Sequence, residues 1–135
     1  MVVGLDQFFY RSTIKNSKDL TSENSEEILY LRKNYWLQTE MLTIGMDTDN
    51  KTNTDSLWNC TFEVTREQLT SILEKSKEVV RTRNSNLVEE YFDYFICTHE
   101  EFEQVIEEMK YFNRKISSYL RNTKTDYCFY YNSSW

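Results

Sequence analysis

Residues 57–73, LWNCTFEVTREQLTSIL, contain a change from strand to helix that determines the fold class. Every second residue from Trp58 to Val64 is apolar, and a period of two predicts a strand with one buried face. Thr65 and Gln68 then have the spacing of a capping box, which marks the first turn of a helix. A strand followed directly by a capped helix indicates mixed α and β structure.

The elements towards the C-terminus alternate in the same way. Apolar residues at helical spacing continue the capped helix to Arg83, and Tyr91–Thr98 predicts a strand. Thr98 and Glu101 predict the start of a third helix, in which acidic residues come first and basic residues last, the order that the helix dipole favours. Alternation over Asp126–Ser134 predicts the last strand.

Towards the N-terminus, Val2–Arg11 predicts a strand. Asn24 and Glu27 then predict a helix start, and Gly45 a helix end. The expected fold is α+β, with about four strands in a largely antiparallel sheet and three helices packed on one face. A chain of 135 residues fits a single domain covering residues 1–135.

Composition excludes several classes of protein. The chain has 22 acidic and 16 basic residues and a net charge of −6, whereas a general nucleic-acid binder needs a basic surface that releases counterions. An aromatic content of 16% argues against disorder, and two glycines with no proline argue against a phosphate loop or a linker-rich protein. No stretch has the length or apolarity of a membrane span or a signal peptide, so a cytoplasmic location is expected.

Catalytic and metal-binding patterns are sparse. Cys60, Cys97 and Cys128 are widely spaced, which favours free thiols, and His99 is the only histidine. A zinc site and a catalytic thiol at Cys97 beside His99 remain alternatives. The interpretation favoured by this pattern is a non-enzymatic protein without a cofactor.

Two groups of residues are candidate binding sites. Glu100, Glu103 and Glu107 have helical spacing and form one acidic stripe, which either is solvated or occupies a basic groove of a protein that binds nucleic acid.

The second group combines both ends of the chain with the first predicted helix. Its aromatic and hydroxyl groups either complete the core or line a small-molecule pocket, in which Arg32 and Lys33 would bind an anion. The members are Asp6, Arg32, Lys33, Tyr130, Tyr131, Ser133, Ser134 and Trp135.

Three segments carry a family resemblance: Gly4–Phe8 (GLDQF), Tyr30–Lys33 (YLRK) and Tyr130–Trp135 (YYNSSW). In these segments the chain resembles small proteins of bacteriophages and prophages, mainly of low-GC Gram-positive hosts, which place the second segment on a helix. In that family two histidines usually follow, whereas this chain has Asn34–Thr39 (NYWLQT). The family has no settled activity, so the resemblance implies phage origin and a location in the host cytoplasm.

These observations favour a phage accessory protein that binds and inhibits a host protein of a defence or nucleic-acid-processing system, such as a CRISPR nuclease. The partner would be a protein, with no membrane and no general nucleic-acid binding involved. The alternative is a protein that binds or sequesters a small ligand such as a nucleotide signal. That alternative predicts a pocket where both chain ends meet the first helix, whereas protein binding predicts a flat acidic face.

Overall fold

A computed structural model of the chain describes residues 5–32, 34–49, 60–83 and 99–134. These ranges contain four strands and three α-helices, which confirms the expected α+β class. In chain order the elements are β1 (Asp6–Ser12), β2 (Glu26–Arg32), α1 (Tyr35–Asp49), β3 (Thr61–Val64), α2 (Arg66–Thr82), α3 (His99–Asn122) and β4 (Cys128–Ser134).

The described strands form one antiparallel sheet in the order β2-β1-β4-β3. Its two central strands are the first and the last of the described strands, and they pair over their whole length, from Asp6 opposite Ser134 to Ser12 opposite Cys128. Residues near the two ends of the sequence therefore lie side by side in the middle of the sheet.

The core lies between the helices and one face of the sheet. Phe9 of β1 contacts Tyr131 of β4 and Phe112 of α3, with ring centroids 4.9 and 5.7 Å apart, and all three residues are buried. Buried residues from α1 and α2 join the same cluster, among them Met41 and Leu73. The prediction that three helices pack on one face of the sheet is confirmed.

The predicted helix from Asn24 to Gly45 is wrong in its first half and at its end, since α1 continues past Gly45 to Asp49. Glu26–Arg32 is the edge strand β2, and the helix begins only at Tyr35. A β-bulge at Ile28 explains the error, because the extra residue breaks the period of two and lets Ile28 and Leu29 both be buried. Ile28 and Leu31 are three residues apart, which is the spacing of neighbouring residues on one face of a helix.

The true helix cap lies ten residues later than predicted. Asn24 serves a turn, where its side chain accepts a hydrogen bond from the Thr21 amide at 2.8 Å. Asn34 caps α1, since its Oδ1 accepts from the Leu37 amide at 3.0 Å. Tyr30 and Arg32, predicted to be helical, are therefore strand residues, and Lys33 lies outside the described residues.

The remaining described elements agree with their predictions to within a few residues. Strand β1 begins at Asp6 instead of Val2, and β3 begins at Thr61 instead of Leu57. Thr65 and Gln68 form the expected capping box, and α2 ends at Arg83 in the left-handed conformation. The final strand begins at Cys128, two residues later than expected. The predicted strand Tyr91–Thr98 and the predicted cap Thr98 lie outside the described residues.

Arg66, the first residue of α2, binds carbonyl groups at the C-terminal end of α3. The last carbonyl groups of a helix lack partners within the helix. The Arg66 guanidinium donates to the carbonyl oxygens of Leu120, Thr123 and Lys124 at 3.3, 2.9 and 2.6 Å. It also lies 5.2 Å from the ring centroid of Phe129. One side chain thus joins two helices to the centre of the sheet.

Replacing Arg66 by alanine should lower the free energy of unfolding by about 2 kcal/mol, because three carbonyl groups lose a charged donor. Urea unfolding followed by circular dichroism measures the change. Arg81→Ala is the matched control, since Arg81 lies on the same helix but is exposed and pairs with Glu78 of that helix. Equal stability of the two variants would contradict the structural role given to Arg66.

Candidate functional site

The sheet face opposite the helices, called here the open face, carries a cluster of aromatic side chains. Phe8 and Tyr10 lie on β1, and Tyr30 lies opposite Phe8 on β2. The ring centroids of Phe8 and Tyr30 are 5.1 Å apart, and those of Phe8 and Tyr10 are 6.1 Å apart. Tyr30 is 44% exposed, and Phe8 and Tyr10 are half-buried. We call these three residues the aromatic cluster.

Strand alternation explains why one strand supplies both the core and this cluster. Successive side chains of a strand point to opposite faces. In β1, Gln7 and Phe9 are fully buried on the helix side. Phe8 and Tyr10, which alternate with them along the strand, face outwards. Aromatic residues are therefore left accessible on a rigid central strand.

Charged groups border the aromatic cluster. The Tyr30 hydroxyl donates to Asp6 Oδ1 at 2.6 Å, and Arg32 Nε lies 4.0 Å from the same oxygen. The hydrogen bond to Asp6 raises the pKa of Tyr30. Burial and, to a smaller extent, the negative charge of Glu27 raise the pKa of Tyr10, which Glu27 faces across the strand pair. The cluster thus has carboxylates on two sides.

The rest of the open face is partly covered by the connection between β1 and β2. Tyr130 of β4 is fully buried there, and its hydroxyl donates to the Ile14 carbonyl oxygen. Burial raises the pKa of Tyr130 to about 12. Lys15 fixes the same connection by donating to the Asp126 carbonyl oxygen. This leaves the aromatic cluster, beside the β2 edge, as an accessible part of the face.

Some of the residues predicted to form a ligand site do come together. Asp6 lies opposite both Arg32 and Ser134, so three of the predicted positions share one row on the open face. Arg32 reaches this row from a strand and not from the first helix. Lys33 and Trp135 lie outside the described residues.

The other described members of the predicted ligand site are buried. Tyr131 and Ser133 are fully buried on the helix side of β4, and Tyr130 lies beneath the β1–β2 connection. Tyr131 and Ser133 point away from the face that carries Asp6 and Arg32, because side chains alternate along a strand. Tyr130 shares that face but is covered, so the three residues do not line a single pocket with Asp6 and Arg32.

The predicted acidic stripe contains its own counter-charges. Glu103 forms an ion pair with Arg83, and Glu107 Oε1 lies 3.0 Å from Lys110 Nζ. The side chain of Glu100 lies outside the described part of the chain. These pairs reduce the negative potential that the stripe would offer to a basic groove.

A buried polar cluster joins β1, β4 and α1 beneath the open face. Gln7 Nε2 donates to the Asn34 carbonyl oxygen at 2.9 Å and to the Tyr131 hydroxyl at 3.1 Å. Tyr131 in turn donates to the Gln38 side chain, which donates to Ser133 Oγ at 2.8 Å. Sequence patterns did not identify Gln7, Asn34 or Gln38, because polar residues are usually exposed and nothing local indicates these long-range partners.

Glu108 of α3 lies next to this polar cluster. Burial raises the pKa of its carboxyl group to about 7, and the nearby Asn34 side chain offsets part of the rise. The arrangement supplies one titratable carboxyl group among amides and hydroxyls. It therefore makes stability depend on pH near neutrality.

A cleft of about 300 Å³ lies at the other end of the sheet, between β3, β4 and the start of α2. Arg66 and Cys128 are among its lining residues. The Arg66 guanidinium already donates to three carbonyl groups, which occupies most of its N–H donors. Across the described ranges, no group of three or more His, Cys, Asp or Glu side chains could hold a metal ion, and no helix could span a membrane.

Comparisons of the chain with protein-family models, curated proteins and solved structures found no match. The function must therefore be argued from the surfaces themselves.

The pKa of Glu108 predicts a specific pH dependence. Because its folded-state pKa is raised, the folded protein binds more protons than the unfolded chain between about pH 4.5 and 7, so stability should fall as the pH rises through this range. The loss should be roughly 1 kcal/mol, allowing for solvent around a half-buried carboxyl group. Thermal unfolding from pH 5 to 8 measures it.

Glu108→Gln should flatten this slope and stabilise the protein at pH 8, because the amide stays neutral. Glu107→Gln, on the exposed side of the same helix, should keep the slope of the natural protein and serves as the control. A slope that survives Glu108→Gln would show that another group titrates.

Proposed function

We propose that this chain is a phage-encoded, non-enzymatic protein that binds and inhibits a host protein of a defence or nucleic-acid-processing system, such as a CRISPR nuclease. The open face of the sheet is the proposed binding surface. The observation that carries the proposal is the aromatic cluster, in which Phe8, Tyr10 and Tyr30 are in contact and yet accessible to solvent.

Aromatic residues at such positions favour binding to another protein. Tyrosine and phenylalanine supply a large contact area with few rotatable bonds, and they are enriched at the centres of protein interfaces. Tyr30 is also held by Asp6, so its ring loses less conformational freedom when a partner binds. A pre-ordered patch on a rigid sheet is the kind of surface that an inhibitor needs.

The acidic stripe predicted from the sequence supports the proposal less. Its described members, Glu103 and Glu107, are paired with basic side chains of the same molecule. A partner would have to compete with Arg83 and Lys110 for them. The aromatic cluster requires no such exchange.

The proposal is tested by phage plating on a low-GC Gram-positive host that carries an active CRISPR nuclease. Expression of the natural protein should raise the plating efficiency of a targeted phage. The double variant Tyr10→Ser/Tyr30→Ser should lose at least about tenfold of this effect, because two central aromatic contacts are removed.

Tyr111→Ser is the matched control, since Tyr111 is 37% exposed on α3, away from the sheet face. This variant should protect the phage as well as the natural protein does. Unchanged plating with the natural protein, together with full nuclease activity in a purified cleavage assay, would refute the proposed inhibition.

A further inference from the structure

We infer that the open face binds an arginine- or lysine-rich segment of a partner protein, through the aromatic cluster and Glu27. This inference rests on the proposed function and specifies the chemistry of the partner. It follows from the cations that lie against other accessible aromatic rings of the protein and from the carboxylates beside this cluster.

Three other partly exposed aromatic rings of the protein lie against cationic groups. The Arg11 guanidinium lies 4.9 Å from the ring centroid of Tyr119 and 5.7 Å from that of Tyr127, and Lys115 Nζ lies 5.8 Å from that of Tyr111. Such contacts are favourable because the face of an aromatic ring is electron-rich.

The described part of the chain offers the aromatic cluster no comparable cation. Within the ranges that the structure describes, no arginine or lysine lies over the rings of Phe8, Tyr10 or Tyr30. Arg32, the basic residue in the adjacent row, faces Asp6 at 4.0 Å. The cluster therefore offers an external cation three neighbouring rings, of which Tyr30 is the most exposed.

Carboxylates beside the rings complement the same kind of ligand. Glu27 is exposed on the edge strand β2, opposite Tyr10, and has no ion pair among the described residues. Its charge is felt by both Tyr10 and Tyr30. A guanidinium group stacked on either ring could pair with the Glu27 carboxylate through two hydrogen bonds, which favours arginine over lysine.

The same charges disfavour a nucleic acid as the occupant. Glu27 and Asp6 border the cluster, and the whole chain carries a net charge of −6, so phosphate groups would be repelled. Proteins that bind nucleic acid carry basic segments, which makes their basic surfaces the partners that fit this face.

The test uses the full chain and three peptides: hexa-arginine, hexa-lysine and hexa-glutamate. Binding is measured by calorimetry at low salt, and the bound surface is located by NMR shifts of backbone amides. Hexa-arginine should bind more tightly than hexa-lysine and shift the amides of β1 and β2, whereas hexa-glutamate should not bind. Binding of hexa-glutamate, or shifts confined to other elements, would overturn the inference.

Charge reversal distinguishes binding at this face from a non-specific attraction of basic peptides to an acidic protein. Glu27→Lys should weaken hexa-arginine binding about fivefold or more, because an ion pair becomes a repulsion beside the rings. Glu23→Lys changes the net charge equally, but Glu23 lies in the turn before β2, so its effect should stay below about twofold. Equal weakening by the two variants would overturn the inference.

The inference and the proposed function fail in distinguishable ways. Site-specific peptide binding without any phage protection would refute only the inhibitory function. Protection that is lost in Tyr10→Ser/Tyr30→Ser but retained, with full hexa-arginine binding, in Glu27→Lys would refute only the basic partner. A dimer of the natural protein that Glu27→Lys dissociates would identify a second copy as the occupant and would also overturn the inference.

Discussion

The pairing of β1 with β4 is the constraint on which the rest of the structure depends. These two strands come from opposite ends of the sequence, occupy the centre of the sheet, and each holds one edge strand. Buried polar contacts reinforce the pair, because Gln7 and Tyr131 bind each other and both bind α1 through Asn34 and Gln38. Unpaired buried amides destabilise a fold, so this network also disfavours other strand registers.

The parts of the fold that could be predicted are those specified by local signals. The capping box at Thr65 and the apolar stripe of α3 each depend on residues within a few turns of helix. Strand β2 could not be recognised, because the bulge at Ile28 replaces alternation with helical spacing. The buried cluster around Gln7 was also missed, since its hydrogen bonds join residues 27 to 124 positions apart.

The candidate site was only partly foreseeable for a similar reason. Asp6, Arg32 and Ser134 were singled out and do meet, but as neighbours across strands and not around a pocket. The accessibility of Phe8 and Tyr10 depends on which face of β1 the helices cover, and this is a tertiary property. Strand alternation alone makes two groups of residues, and packing decides which of them remains available to a partner.

The central position of β4 also affects how the protein emerges from the ribosome. β1 and β2 can pair early, but the second edge of β1 has no partner until Cys128–Ser134 has been synthesised, more than 100 residues later. At 5 to 20 residues per second, this interval is roughly 6 to 25 s. Throughout it a nascent hairpin rich in phenylalanine and tyrosine exposes an open strand edge, so we expect holding chaperones to associate with the growing chain.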